Sequence, residues 1–122
     1  MPDLSPSEVR PLASSDPITF AVSGARCVEV QVRFYSDTRG VYPVAAGDGS
    51  RTLAVSKVDS IRYDDLDIDD QVESVIPLGS YTATGGTWAV VGLGSGADTI
   101  KVIASGGSDP AGAASYRVWV RS

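Results

Sequence analysis

Across residues 27–35 the chain alternates strictly, with Val28, Val30, Val32 and Phe34 on one parity and Glu29, Gln31 and Arg33 on the other. A period of two puts one set on a dry face and the other in water, which predicts a half-solvated antiparallel strand. Shorter stretches of β character follow and precede it. They cover residues 18–22, 41–45, 52–58, 72–76, 81–84, 87–93, 98–104 and 115–121, with a further apolar signal at Ile61, Tyr63, Leu66 and Ile68. Gly24 is expected to end the first strand, Asp37-Thr38-Arg39-Gly40 and Gly47-Asp48-Gly49 to form turns, and Pro43 to confine its strand to a sheet edge. The run from Gly92 to Ala97 reads as a hairpin turn. No window keeps a helical period. About eight short strands at this spacing predict an all-β domain, an antiparallel β-sandwich of immunoglobulin-like or jelly-roll-like type.

Residues 1–17 break the pattern. Pro2, Pro6, Pro11 and Pro17 bar any helix of useful length, and Leu4, Val9 and Leu12 are the main apolar side chains available for burial. The segment is therefore expected to be an extended N-terminal arm, residues 1–17, held by a neighbouring surface or chain, ahead of a folded domain at residues 18–122. With 122 residues in all, one sheet-on-sheet core is the economical arrangement.

Composition narrows the partners. Fifteen acidic against ten basic residues leave a net charge of −5, and the arginines alternate with acids instead of forming a patch, so nucleic acid is not an expected partner. Cys27 is the sole cysteine, which excludes an intrachain disulfide. The first residues lack the basic start and apolar run of a signal peptide, and no stretch of about 18 apolar residues occurs, so synthesis in the cytoplasm and no membrane partner are expected.

Chemistry is harder to place. Asp65, Asp67 and Asp69 alternate as calcium-loop ligands do, but Asp70 stands where such a loop needs glycine and Ile76 where it needs glutamate. The stretch from Asp64 to Glu73 is thus expected to be a charged strand edge, with no metal bound. The glycines at 92, 94 and 96 precede a strand, not the helix that a phosphate-binding loop requires. Asp37-Thr38-Arg39-Gly40 interrupts the Asp-Thr-Gly triplet of aspartic proteases with an arginine. Without histidine no Ser-His or Cys-His pair can form, and nothing sets two carboxylates such as Glu29 and Glu73 at a defined distance. The expectation is a protein that binds and does not catalyse, with no cofactor.

Aromatic residues offer two routes to binding. Trp88, Trp119, Tyr81 and Tyr116 could stack on sugars, although Trp88 is in phase with Val90, and Tyr116 with Val118 and Val120, as core residues would be. Trp119 instead shares a face with Arg117 and Arg121, and this Arg-Trp-Arg stripe is expected to meet a protein partner.

The proline-punctuated arm, the Gly- and Ala-rich β domain and the closing strands at residues 86–93, 99–104 and 116–121 together resemble accessory virion proteins of tailed bacteriophages, capsid decoration or cement proteins in particular. The resemblance implies a structural virion protein on the capsid exterior that joins a preformed shell, binds the major capsid protein or other virion proteins, forms homo-oligomers and fastens neighbouring capsomers. Leu4, Val9, Arg10 and Leu12 of the arm, with Arg117, Trp119 and Arg121, are the expected partner-binding residues. The alternatives are a carbohydrate-binding or adhesive domain, such as a fibre base, or another tail or connector component.

Overall fold

The alternating strand at residues 27–35 becomes an inner strand of the sheet, flanked on both sides. The computed structural model describes residues 4–45, 49–62 and 71–122. Among these residues seven strands are formed: β1 (Leu4–Pro6), β2 (Arg10–Pro11), β3 (Ile18–Tyr35), β4 (Ser50–Arg62), β5 (Gln71–Thr84), β6 (Ala89–Ser108) and β7 (Ser115–Arg121). All ladders between them are antiparallel. The strand order is β1-β7-β3-β6-β4-β5, with β2 following β1 along the same side of β7. The sheet curls into a half-barrel. At its closing side Gly85, just past β5, reaches Val32 of β3 through a single parallel bridge.

The all-β expectation therefore holds, but the short strands merge into long ones and form one curled sheet. Gly24 does not end a strand. It and Ser23 take left-handed φ angles of 75° and 51°, which bend β3 while the ladder to β6 resumes at Ala25. Nor do the glycines at 92, 94 and 96 make a hairpin turn. They lie inside β6, where the register jumps between the pairs Cys27↔Gly92 and Ala25↔Ala97. Bulged and bent strands can wrap a sheet over its own apolar face, so no second sheet is needed to cover it. β5 carries Pro77 opposite a register shift at Val55/Ser56, at the sheet edge where proline costs no ladder bond. The expected strand at residues 41–45 reduces to one bridge between Pro43 and Tyr35. Cys27 is exposed within β3. The expected turn at Gly47-Asp48-Gly49 lies largely outside the described residues, as do Tyr63 and the acidic run from Asp64 to Asp70.

The concave side holds the core. Val28, Val30, Val32 and Phe34 of β3 meet Leu53 and Val55 of β4, Val91, Leu93, Ile100 and Val102 of β6, and Tyr116, Val118 and Val120 of β7. Each such fully buried side chain contributes about 1.5–3 kcal/mol relative to exposure. Arg51 has the inward parity of Leu53 and Val55 and is only 5% exposed. Its guanidinium stacks on Phe34 and Tyr116, 5.1 and 5.2 Å from the ring centroids, donates to the Leu12 carbonyl at 3.1 Å and pairs with the Asp109 carboxylate.

The arm is the largest correction. Its described part does not reach away from the domain; it forms the outermost strand of the chain's own sheet. Leu4, Ser5 and Pro6 pair with Arg121, Val120 and Trp119, and Arg10 and Pro11 with Tyr116 and Ser115. Between the two pieces the buried Ser7 donates its amide to Val118 O at 2.7 Å and accepts the Val118 amide on its hydroxyl at 3.0 Å. Prolines are compatible with this position because an edge strand directs half of its amides outward. Further on, the Tyr116 hydroxyl donates to Ser14 O at 2.6 Å. Removing residues 1–11 is expected to lower folding stability by about 2–4 kcal/mol, through lost strand bonds and the uncovered β7 edge. Urea unfolding with amide exchange on β7 measures this, and an unchanged midpoint with β7 still protected would contradict it.

Candidate protein-interaction face

The convex side of β3 and β7 carries the residues of opposite parity to the core. The register lays them out as rows: Arg33 beside Arg117, Gln31 beside Trp119, and Glu29 beside Arg121, with Val90 of β6 on the other flank of Glu29. Trp88 precedes β6 and lies on the same face. It does not join the core as its phase with Val90 suggested, because Val90 itself points outward and is 61% exposed.

These side chains form a roof over Gln31, which is only 2% exposed although it lies on the outer face. Arg33 Cζ lies 4.2 Å from the Trp119 ring centroid and 6.0 Å from that of Trp88, and Arg121 Cζ lies 4.0 Å from Trp88. Arg33 Nε donates to Gln31 Oε1, satisfying the buried amide oxygen. Arg121 forms a bidentate pair with Glu29, both bonds at 3.1 Å, and Trp119 Nε1 donates to the Tyr35 hydroxyl at 3.0 Å. Stacked guanidinium and indole planes contribute about 0.5–2 kcal/mol per contact and hold each other in one arrangement. The result is a pre-ordered surface of two tryptophans and two arginines.

Arg117 behaves differently from its neighbours. Its guanidinium donates to Gly40 O at 3.1 Å, Ser7 O at 2.8 Å and Arg39 O at 3.0 Å, so it staples the arm and the loop at residues 36–42 to β7. Gly40 permits this approach: its φ is 66°, and a Cβ there would stand 2.6 Å from Arg117 Nε and 2.9 Å from Val9 Cγ2. The expected turn at residues 37–40 is present. The Asp37 carboxylate closes it by accepting from the amides of Tyr42 and Val41, each at 2.9 Å, and of Arg39 at 3.2 Å.

The seven residues expected to bind a partner therefore separate into two groups. Trp119 and Arg121 stand in the outer roof. Leu12 packs half-buried against the core, Val9 lies against Gly40, and Arg117 is spent on the staple. Arg10 is half-buried beside Tyr116, and its Nε is the one buried side-chain nitrogen without a hydrogen-bond partner among the described residues. Leu4 is placed by its pairing with Arg121. Arg33, Glu29 and Trp88 were missed as roof members. Their signal was the polar parity of β3, which is indistinguishable from a solvated face until β7 is known to lie beside it. The sugar platform is not assembled: Tyr116 is fully buried, and Trp88 and Trp119 are stacked with guanidiniums.

No protein-family model, curated protein or solved structure matches this chain.

The Tyr42 amide above all holds the Asp37 carboxyl below its ordinary pKa; slight desolvation opposes it, and the Val41 and Arg39 amides add to the lowering. A depressed carboxyl favours the folded loop above the unfolded-state pKa, and that contribution disappears as pH falls through the folded-state value. Acidification below the ordinary carboxylate range is thus expected to lower the protection of the Val41 and Tyr42 amides against exchange, taken relative to the intrinsic rate at each pH, before the core opens. In Asp37→Ala that exchange should already be fast at neutral pH, and equal protection in both proteins would refute the role.

Proposed function

We propose that the protein is a structural virion protein that attaches to the outside of a phage capsid and decorates or cements neighbouring capsomers. The observation that carries this reading is the ordered Trp-Arg roof on a rigid sheet, with the exposed Val90 beside it. Tryptophan and arginine are the residue types that dominate protein interfaces, and a surface already held in its binding arrangement loses little entropy on docking. The sequence resemblance to decoration proteins supplies the class of partner, the major capsid protein or another exterior virion protein.

This reading moves the contact from the arm to the domain. An arm paired with β7 is unavailable as a tether, and it contributes by covering an edge that would otherwise pair indiscriminately with other strands. Weak contacts repeated by identical copies around a capsomer would raise occupancy through effective concentration.

Val90→Asp changes an exposed side chain and is expected to leave the fold intact while reducing retention on purified shells at least about tenfold, the effect of one good interface contact. Co-sedimentation with the shells reads this out. Retention equal to wild type would exclude the roof as the docking face, and selective binding on a glycan array would favour an adhesive role.

A further inference from the structure

Along β3, pairing with β6 stops at Val30↔Ala89. Beyond it the same side of β3 is touched twice, by Gly85 at Val32 and by Pro43 at Tyr35. Val44 donates its amide to Phe34 O at 3.0 Å and fixes the second contact. Between these anchors no strand among the described residues fills the sheet, and a cleft of about 300 Å³ remains. That volume is at the small end of the range of ligand pockets.

Its walls are chemically unequal. Pro43, Val44 and the Trp88 indole are apolar, and Gly85 and Gly86 contribute backbone without side-chain bulk. Gln31, Phe34 and Ala45 complete the lining together with Arg33, the one charged residue among them. Arg33 spends its Nε on Gln31 and its planar face on Trp119, while its terminal nitrogens have no hydrogen-bond acceptor among the described residues. Glu29, the carboxylate on the same strand face, is engaged by Arg121. The cleft thus presents a charged two-pronged donor at the side of an apolar slot. A cation would be repelled there, and a neutral apolar molecule would leave the donors unused.

We propose that this cleft binds a small organic acid, a single carboxylate on a compact ring or branched hydrocarbon. The carboxylate bridges the terminal nitrogens of Arg33, where bidentate geometry makes the bond strong and directional. The hydrocarbon body lies between Val44, Pro43 and the Trp88 ring. The arginine side chain is held in place before the ligand arrives, so the site needs little rearrangement. This activity is independent of attachment to a shell, because the cleft is formed within one chain.

The test uses the full-length protein alone, titrated with benzoate, cyclohexanecarboxylate and the neutral benzamide, read by amide chemical shifts and Trp fluorescence. The acids are expected to saturate, to shift the amides of Arg33, Gly85 and Gly86, and to bind at least about tenfold more tightly than benzamide, as loss of a charge-assisted bond requires. Arg33→Gln should abolish the preference for acid over amide. Since Arg33 also supports the roof, Ala45→Trp provides a second test: it fills the cleft from an exposed rim position and should abolish binding of all three compounds. Equal affinity for benzoate and benzamide, undiminished binding by Ala45→Trp, or no saturation below about 10 mM would overturn the proposal. Shell retention is measured separately and is expected to be unaffected by benzoate, so the two readings fail independently.

Discussion

A sheet curled into half a barrel leaves the end of its core to be closed, and here a cation closes it. Arg51 points inward in phase with Leu53 and Val55, and removing its charge from water costs several kcal/mol unless the charge is fully engaged. The structure meets that requirement with two aromatic faces, the Ser50 and Leu12 carbonyls and the Asp109 carboxylate. These partners come from the arm, β3, β4, β7 and the connection after β6. Satisfying one guanidinium therefore fixes where the arm crosses the barrel end and how β7 sits beneath it. Burial raises the pKa of the neighbouring Tyr116 hydroxyl, against the opposing charges of Arg51 and Arg10, keeping it neutral as a donor to Ser14 O.

With β7 held in that way, its two faces become two different materials. Tyr116, Val118 and Val120 complete the core, while Arg117, Trp119 and Arg121 are displayed outside beside the polar residues of β3. Arg117 is used internally, binding arm and loop, and the other two join Arg33 and Trp88 over Gln31. Rigidity of the outer face thus derives from the inner one: the indoles and guanidiniums can stack because the strands carrying them are pinned by core packing. The proposed docking surface and the acid-binding cleft share Trp88 and Arg33, and they use different parts of the arginine, its face for Trp119 and its terminal nitrogens for the ligand.

Much of the fold could be read in the residues. Strict alternation at residues 27–35 marked the central strand and correctly divided it into core and outer sets, and the last strand was divided correctly as well. The merging of strands could not be read. Gly24 and the glycines of β6 are equally suited to ending a strand and to bending one, and the choice depends on whether a partner strand continues alongside. Trp88 was drawn towards the core by its phase with Val90, because parity assigns residues to a common face without saying which face is buried.

The sequence by itself determined an all-β chain without histidine, with one unpaired cysteine and with its strongest alternation in what became the middle of the sheet. These properties depend on composition and on a two-residue period, which are local. Tertiary structure alone decided that the arm is an edge strand, that one sheet suffices, that Arg117 is internal while Arg33 faces a cleft, and that Arg51 is buried. Each of those outcomes rests on contacts between residues far apart in the chain, such as Ser7 with Val118 or Arg51 with Asp109, and no local pattern encodes which distant carbonyl or carboxylate will neutralise a given guanidinium.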